Sequence, residues 1–352
     1  MRHMIIPIFI MNGGCPNRCV FCNERITAGD HPDWISREQF RSTVEMHLAG
    51  RGHRDAVQIA FYGGSFTGLE RKYQTELLEY AEAYIRAGLV GSVRLSTRPD
   101  YIDADTLRLL TGYSVTTVEL GVQSMVDDVL MCARRGHTSD NVRTATALLK
   151  NAGFSVGMHL MVGLPGDTET RFEYTVREVI KLGPDTVRIH PTIVFRETEL
   201  ARWYEDGRYV PLTMGEAVRL SKYALRQCET AGISVIRIGL QMTREMEEEG
   251  TIIAGPHHPA FRSLVENSIF YDMATTLLKK THFNAATPLF RVNPKDVSDF
   301  RGMKNSNIKA LQTDCGIRDI RVEPDPEQQR GSLVLAANGA TYVTDRLTYD
   351  RG

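Results

Sequence analysis

The sequence has no long hydrophobic run and almost no net charge. Its longest apolar run near the start spans residues 5–11, too short for a membrane span or for the apolar region of a signal peptide. The formal net charge is -1, so bulk charge supplies no attraction toward nucleic acid or an anionic membrane, although it allows a local basic patch. We therefore expect a protein that does not bind membranes.

Cysteine is also scarce, with 6 residues in a chain of 352. This number does not make a disulfide scaffold, and Cys132, Cys228 and Cys315 each stand alone. A reducing, cytoplasmic compartment is therefore expected. The other three cysteines are concentrated in one short stretch, GGCPNRCVFCNERITAG.

Cys15, Cys19 and Cys22 in this stretch have the spacing CxxxCxxC, which fits three kinds of site. A structural zinc site usually takes four Cys or His ligands, and the sequence has no second CxxC or HxxxH pair. A redox dithiol would use Cys19 and Cys22 and leave Cys15 unexplained. An electron-transfer 4Fe–4S cluster has four thiolates, so three would leave one iron open to a substrate or cofactor. The position after a short strand favours the cluster, which Val20 and Phe21 can shield from water.

Short β-branched segments alternate with helical stretches along the chain. The predicted strands are residues 5–11, 57–62, 92–98, 116–123, 155–162, 186–192 and 234–241. The predicted helices between them include residues 103–110, 139–152, 169–182 and 213–231. Strands that alternate with helices indicate an α/β fold with a parallel sheet. Six or seven such units predict a complete or partial barrel.

Four of these strands carry polar or small residues at every second position, unlike the nearly continuous hydrophobic strands of a fully buried parallel sheet. Residues at alternate positions share one face. These faces hold Arg94, Ser96 and Arg98; Glu119, Gly121 and Gln123; Arg188, His190 and Thr192; and Arg237, Gly239 and Gln241. Solvated edges or buried salt bridges explain one such strand better than four. We expect a polar interior that holds ligands, for which a partial barrel leaves room.

The CxxxCxxC spacing, with an aromatic residue just before the last cysteine, resembles the hallmark of the radical S-adenosylmethionine (SAM) superfamily. The segments AFYGGSFTGL, LSTRPDYID, VELGVQSM, RRGHT and MHLMVGLPGDT follow in order. Together they resemble the branch with the radical SAM half of the Elongator catalytic subunit and, more distantly, oxygen-independent coproporphyrinogen oxidase. The resemblance covers about residues 5–245. We expect the Elongator subunit's acetyltransferase domain to be absent, because few residues follow position 280.

This resemblance implies a partial (β/α)6-type radical SAM barrel with a 4Fe–4S cluster on Cys15, Cys19 and Cys22 and with SAM chelated to the open iron. It implies an oxygen-sensitive enzyme in which one electron from the reduced cluster cleaves SAM to a 5′-deoxyadenosyl radical. That radical would abstract hydrogen from a substrate. A one-electron reductant such as flavodoxin or ferredoxin is implied as a partner.

The resemblance also implies SAM contacts at the carboxyl ends of the strands, where barrels of this kind carry their chemistry. Gly63 and Gly64 would approach the methionyl amino group, and the backbone from Met161 to Gly163 would pair with adenine. Further contacts to ribose, the methionyl carboxylate or adenine are expected from Ser96, Thr97, Arg98, Gln123 and Arg135.

No catalytic residue follows from the sequence. The candidates for the substrate side are Tyr62, His159, His190 and Arg237, and each is equally compatible with an interior polar residue that its neighbours satisfy.

The sequence from Phe290 onward reads as strand, helix, a Gly-Met-Lys-Asn turn, helix and strand. It resembles a small KH-like RNA-binding module, in which a GXXG loop clamps the nucleotide backbone. Asn305 replaces the second glycine, and asparagine tolerates positive φ better than most residues. The segment has both basic and acidic residues: Lys295, Arg301, Lys304 and Lys309, with Asp296, Asp299 and Asp314. The alternative is a packing appendage that closes the open side of the barrel.

We therefore predict a barrel over residues 1–245, a helical connection that covers it over residues 246–285, and a small α+β module over residues 286–352. Two functions stay open: a radical SAM enzyme that acts on nucleic acid, with tRNA as the leading candidate, or one that acts on a small metabolite or peptide. A sensor that binds SAM and a cluster is a third, against which the full set of cofactor motifs argues. The oligomeric state is unknown.

Overall fold

The structure is a computed structural model that describes residues 3–10, 15, 19–28, 34–50, 56–241, 243–281, 287–337 and 339–349. Its strands are β1 (His3–Ile10), β2 (Ala56–Gly63), β3 (Ser92–Thr97), β4 (Val115–Gln123), β5 (Ser155–Val162), β6 (Thr186–Pro191), β7 (Val194–Phe195), β8 (Ser234–Ile238), β9 (Ile252–Ala254), β10 (Leu289–Val292), β11 (Arg321–Pro324), β12 (Ser332–Ala337) and β13 (Ala340–Asp345).

The helices are α1 (Glu24–Ala28), α2 (Arg37–Ala49), α3 (Arg71–Arg86), α4 (Ala104–Thr111), α5 (Asp127–Cys132), α6 (Ser139–Asn151), α7 (Glu169–Leu182), α8 (Glu199–Glu205), α9 (Met214–Thr230), α10 (Arg244–Glu247), α11 (Phe261–Lys280), α12 (Val297–Arg301) and α13 (Ser306–Asp314). Within the described ranges, none of these helices is long and apolar enough to cross a membrane.

A seven-stranded parallel sheet in the order β1-β2-β3-β4-β5-β6-β8 forms the main body of the fold. The predicted α/β partial barrel is confirmed. Pro7, which has no backbone N–H to donate, lies in the edge strand β1, where a missing donor is tolerated. The last strand is shorter than predicted because Gly239, with φ of 86°, turns the chain directly after β8.

The faces of the strands separate apolar from polar side chains as the period of two requires. In β4, Val118, Leu120 and Val122 are fully buried in the hydrophobic core, while Glu119 and Gln123 point the other way into the interior. The helices begin and end at clear signals. Thr168 caps α7 by accepting a hydrogen bond from the Arg171 amide, and α7 ends at Gly183, which is left-handed with φ of 60°.

The chain divides into two compact units. The first comprises residues 1–213 and 233–257, and the second comprises residues 214–232 and 258–352. The second unit therefore contains α9 together with α11 and everything after it. This division differs from the predicted boundaries at residues 245 and 285, which remain a prediction about domains.

The second unit is a small α+β extension, as predicted. Its four-stranded sheet has the order β11-β10-β12-β13, with β10 and β11 parallel and the β12–β13 hairpin antiparallel. The strand, helix, turn, helix, strand order predicted from residue 290 is present as β10, α12, residues 302–305, α13 and β11. The β12–β13 hairpin and the two-stranded sheet of β7 and β9 were not predicted.

Candidate functional site

The first unit encloses a cavity of about 780 Å³ on the polar side of the seven-stranded sheet. Most of the residues singled out from the sequence line it, and they come from the seven strands of the sheet and the segments that follow them. They are Cys15, Cys19, Cys22, Tyr62, Gly63, Gly64, Ser96, Thr97, Arg98, Gln123, Arg135, His159, Met161, His190 and Arg237. The predicted polar interior is therefore present.

The cysteine segment is held against the first unit by backbone hydrogen bonds. The amide of Val20 donates to the carbonyl of Ala133 at 3.2 Å, and the amide of Leu200 donates to the carbonyl of Val20 at 2.8 Å. The side chain of Val20 is buried in a cluster with Val194 and Tyr209. Burial of this valine between two cysteines explains why the segment keeps one position at the cavity.

The three thiols differ in exposure. Cys19 is buried, Cys15 is half-buried and Cys22 is exposed, and all three are free of disulfides. The amide of Cys22 donates to the carbonyl of Cys19 at 3.1 Å, which closes a tight turn between them. In the described part of the chain, no three His, Cys, Asp or Glu side chains are grouped to hold a single metal ion.

Two guanidinium groups lie beside two of these thiols. Nη1 of Arg135 lies 3.2 Å from Sγ of Cys19, and its Nη2 donates to the carbonyl of Gly121 at 2.7 Å. Nη1 of Arg98 lies 4.0 Å from Sγ of Cys15. Both arginines are buried, so their positive charges act on the thiol segment with little screening by water.

This donor set fits a 4Fe–4S cluster. Such a cluster takes thiolate ligands at separate corners, and here three free thiols from one short segment line the same cavity. Buried guanidinium groups lie beside two of the thiols and place positive charge where a cluster bound through thiolates would be negative. We assign the cluster to Cys15, Cys19 and Cys22 as a proposal.

Gly63 and Gly64, at the end of β2, approach the backbone of β1 closely. Gly63 has φ of 97°, and a Cβ atom there would lie 2.8 Å from the carbonyl oxygen of Ile10. The amide of Gly64 donates to that same oxygen at 2.8 Å. A side chain at Gly63 is excluded by both conformation and space, which keeps backbone accessible at the cavity wall.

A group of hydroxyl side chains joins the ends of β2 and β3. The hydroxyl of Thr97 lies 3.1 Å from that of Ser65 and 2.5 Å from that of Thr67. The Ser65 hydroxyl also accepts from the amide of Arg98 at 3.1 Å. The side chains of Ser65 and Thr97 are therefore hydrogen-bonded to each other. Thr97 lines the cavity, but its hydroxyl already makes hydrogen bonds to Ser65 and Thr67.

Arg98 is fixed by an ion pair with Asp100. Its Nε and Nη2 atoms donate to the two carboxylate oxygens at 3.0 and 2.8 Å. Burial alone would lower the pKa of the Arg98 guanidinium, but the hydrogen bonds and charge of Asp100, with a smaller contribution from Cys15, raise it. Arg98 therefore stays charged beside the cysteine segment.

Gln123 ends β4 with φ of 65°, an unusual left-handed conformation for a residue other than glycine. This backbone turn directs its amide side chain into the cavity. On the next strand, Met161 also lines the cavity. Gly163, by contrast, is not among the lining residues that the structure describes. The side chain of Leu212 occupies the space that a Cβ atom on Gly163 would need. The carbonyl of Gly163 accepts a hydrogen bond from the Tyr209 hydroxyl at 2.7 Å.

Deeper in the cavity, Glu119 is the centre of a hydrogen-bonded network. Its Oε1 accepts from Arg94 at 2.9 Å, from Arg188 at 3.0 Å and from the Tyr62 hydroxyl at 3.1 Å. Its Oε2 lies 2.8 Å from Nε2 of His159. The side chain of Glu119 is 1% exposed, so neighbouring side chains and not water satisfy its oxygens.

The network keeps Glu119 ionised. Burial would raise the pKa of its carboxyl, but the hydrogen bond and charge of His159 and the guanidinium groups of Arg188 and Arg94 outweigh burial and hold the pKa at about 2. Tyr62 also donates to this carboxylate, and burial together with the charge of Glu119 raises the pKa of Tyr62. Glu119 therefore acts as a fixed anion that positions Tyr62, Arg188 and His159.

Arg94 and Arg188 were not among the site residues predicted from the sequence. Both belong to the polar strand faces predicted from the alternation of residues, so the sequence did predict that their side chains point into the interior. Their shared partner could not be found from the sequence, because Glu119 lies on a different strand from each of them. The register that pairs Arg188 with His159 on β5 and with Arg237 on β8 brings these side chains into one layer.

The geometry defines an open α/β barrel. Its cavity combines a three-cysteine segment, the buried guanidinium groups of Arg98 and Arg135, and a polar floor formed by the Glu119 network. Comparison with known proteins gives the family. Residues 9–179 match the radical SAM superfamily, and residues 184–270 match the radical SAM C-terminal domain. The chain belongs to the radical SAM superfamily and is a radical SAM enzyme, as predicted. The cofactors of this family, a 4Fe–4S cluster and SAM, are those expected from the sequence.

Individual relatives share part of their length with this chain. Protein YhcC of Escherichia coli (strain K12) is 30% identical over 233 residues, which cover 59% of this chain and 72% of the relative. The tRNA uridine(34) acetyltransferase of Methanocaldococcus infernus is 28% identical over 260 residues, which cover 62% of this chain and 48% of the relative. The chain thus spans about half the length of this acetyltransferase.

A solved structure shows the same fold. The archaeal Elp3 of Methanocaldococcus infernus with an N-terminal deletion has a TM-score of 0.59 and 20% sequence identity, and the match covers 95% of this chain and 73% of that chain. The sequence matches to relatives of the Elongator-type branch confirm the predicted likeness, and the solved structure adds the fold.

Proposed function

We propose that this enzyme cleaves SAM reductively in the described cavity and abstracts hydrogen from a tRNA substrate. The observation that carries the first part is the convergence of three free thiols, two buried guanidinium groups and the strand-end residues of β2, β3 and β4 on one cavity. When bound, the cluster and SAM supply the radical that abstracts hydrogen.

The residues of the chain would bind and orient these groups. Cys15, Cys19 and Cys22 would hold the cluster, with Arg98 and Arg135 beside it. The backbone at Gly63 and Gly64 would accept the amino group of SAM, since no side chain blocks it. Ser96, Thr97, Gln123 and Met161 line the wall on which the rest of SAM would lie, and Gly163 would act through neighbouring backbone only.

The choice of tRNA rests on two observations. A relative that matches 62% of this chain is named as a tRNA uridine(34) acetyltransferase. In addition, the second unit presents an exposed turn between two helices at the place where the sequence resembles the GXXG loop of a KH module. Gly302, Lys304 and Asn305 in this turn all have positive φ, at 72°, 52° and 61°. Both Lys304 and Arg301 are exposed.

The buried side chain of Asn307 holds this turn in place. Its Nδ2 donates to the carbonyl of Asn267 at 2.8 Å and to that of Phe300 at 3.1 Å. A Cβ atom at Gly302 would lie 2.9 Å from the amide of Asn307, so the first position of the turn requires glycine. A fixed turn with exposed cations at one end of a helix suits a phosphate backbone.

The first experiment follows 5′-deoxyadenosine anaerobically, with reconstituted protein, SAM and dithionite. Acceleration by a tRNA pool, but not by a metabolite extract, is expected. In parallel, Lys304→Ala and Arg301→Ala should each weaken tRNA binding and reduce the slope of log affinity against log salt by about one. Lys72→Ala, an exposed cation in the other unit, serves as the control and should leave both unchanged.

A small metabolite or peptide is the second candidate, favoured by the volume of the cavity and by its polar lining. It gains support if a metabolite extract accelerates SAM cleavage while tRNA neither binds nor accelerates it. We further propose that a flavodoxin or ferredoxin is the electron donor and that the enzyme works in the cytoplasm, where its free thiols stay reduced.

A further inference from the structure

The floor of the cavity has more positive than negative charge. Arg188 on β6 and Arg237 on β8 line the cavity, and Glu119 forms ion pairs with Arg188 and with Arg94 on β3. Among the described residues, no second carboxylate forms a bond with any of the three. Three guanidinium groups against one carboxylate leave a formal charge of +2, before the histidines are counted.

Glu119 has no capacity left for another cation. Its oxygens already accept from Arg94, Arg188 and Tyr62 and contact His159. The guanidinium of Arg188 donates hydrogen bonds to Glu119 and to the Tyr62 hydroxyl, each at 3.0 Å. The side of the cavity toward β8 is therefore not neutralised by this carboxylate.

Arg237 is the cation on that side. Its bonded partner is the neutral amide of Gln241, which accepts from Nη1 at 2.9 Å. Arg237 stands directly across from Arg188 in the register of β6 and β8. Burial and then the charge of Arg188 lower the pKa of the Arg237 guanidinium, while the charge of Glu119 makes a smaller contribution that raises it.

His190 supplies a second polar group at the same place. It lines the cavity next to Arg188 and Arg237, and its ring lies 5.7 Å from that of His159. Its Nδ1 atom is buried and has no hydrogen-bond partner in the described part of the chain. A buried ring nitrogen without a partner is costly, and a bound ligand atom would remove that cost.

We propose that Arg237 and His190 form a binding site for an oxyanion, a carboxylate or phosphate group carried by the substrate. A guanidinium binds either group through paired hydrogen bonds, and a partly buried one does so with little competition from water. Arg188, held by Glu119, adds positive charge behind the site. The proposal rests on the proposed function in that it treats this cavity as the substrate site, and it does not depend on tRNA as the source of the oxyanion.

The test measures binding to the anaerobically reconstituted protein by equilibrium dialysis, with uridine 5′-monophosphate, uridine and succinate as probes. Arg237→Gln should weaken binding of the monophosphate or of succinate at least about tenfold, and Arg237→Lys should restore much of it. Uridine should bind the wild type and Arg237→Gln alike. Arg108→Gln removes an exposed arginine outside the cavity and serves as the matched control for charge.

One further variant and one further ligand make the result interpretable. His190→Gln tests the second group, and SAM affinity is measured for every variant. The proposal is overturned if Arg237→Gln binds all three probes as the wild type does, if it loses uridine and the monophosphate equally, or if it loses SAM affinity instead. Succinate binding that depends on Arg237, without any effect of tRNA on SAM cleavage, would uphold the oxyanion site while overturning the tRNA proposal.

Discussion

Arg135 joins the cysteine segment to the end of a central strand: its guanidinium lies 3.2 Å from Sγ of Cys19 and donates to the carbonyl of Gly121 at 2.7 Å. Two nitrogens of one planar group thus span two parts of the chain that are far apart in sequence. This contact fixes where the cysteine segment lies relative to β4, and hence where a cluster would lie relative to the strand-end residues.

Cys19→Ala should abolish cluster assembly. The buried thiol of Cys19 is one of the three proposed ligands, so iron content should fall far below the roughly four atoms per chain expected of the wild type, and SAM cleavage should be lost. Iron, sulfide and 5′-deoxyadenosine are measured together. Cys132→Ala, at an exposed cysteine outside the cavity, should behave as the wild type. A Cys19→Ala protein with full iron content and SAM cleavage would refute the assignment.

Gly63→Ala should weaken SAM binding by at least about tenfold and lower stability. The new methyl group would lie 2.8 Å from the carbonyl oxygen of Ile10, so β1 must shift, and the positive φ adds about 1–2 kcal/mol. Gly88→Ala is the matched control, since Gly88 has φ of 67° with open space around it. It should show the conformational cost alone and normal SAM affinity. Equal SAM affinity in both variants would remove Gly63 from the SAM site.

His137→Gln should change how stability depends on pH. His137 is buried and donates to the carbonyl of Val122; burial, followed by the charge of Arg135, lowers its pKa from 6.5 to about 3. Between these two pKa values, His137 therefore binds a proton in the unfolded chain but not in the folded chain. Between pH 7.5 and pH 5 the wild type should lose about 2 kcal/mol of unfolding free energy through this residue.

Urea unfolding at several pH values, followed by circular dichroism, tests this. The loss should begin as the pH falls below 6.5, and the variant should lose about 2 kcal/mol less than the wild type over the same range. Parallel pH profiles for the two proteins would show that His137 is already protonated in the fold.

Glu119→Gln should destabilise the first unit by about 3–5 kcal/mol, because it removes a buried carboxylate and leaves the half-buried guanidinium groups of Arg94 and Arg188 without their counter-charge. Glu45→Gln, at an exposed ion pair with Arg41 on α2, should cost less than about 1 kcal/mol. Urea denaturation at pH 7 compares the two. If both variants lose the same small amount, the network contributes little to the stability of the fold.

The sequence predicted the main sheet because each of its strands carries its own pattern. The strand at Ser155–Val162 and the helix at Glu169–Leu182 have the predicted bounds, since a β-branched run and a Thr cap mark them locally. The two-residue strand β7 and the three-residue strand β9 were not predicted, because segments so short show no hydrophobic periodicity.

The sequence predicted most of the residues that line the candidate site, but not the contacts between them. The motifs named the residues at each strand end, and the period of two gave their direction. Which of them meet depends on strand register, so the saturation of Glu119 by four neighbours had no sequence signal. The placement of Gly163 depended on Leu212 and Tyr209, which lie about fifty residues further along the chain.

The parallel sheet ends at β1 on one side and at β8 on the other. A closed barrel has a circumference set by its strand number and shear, so it cannot widen without breaking hydrogen bonds. An open sheet can change its curvature while every strand keeps its neighbour. Arg237 lies on the terminal strand β8, which pairs within this sheet with β6, whereas Glu119 lies on the central strand β4. We therefore expect the proposed oxyanion site to accommodate a small shift of its strand more readily than the Glu119 network does.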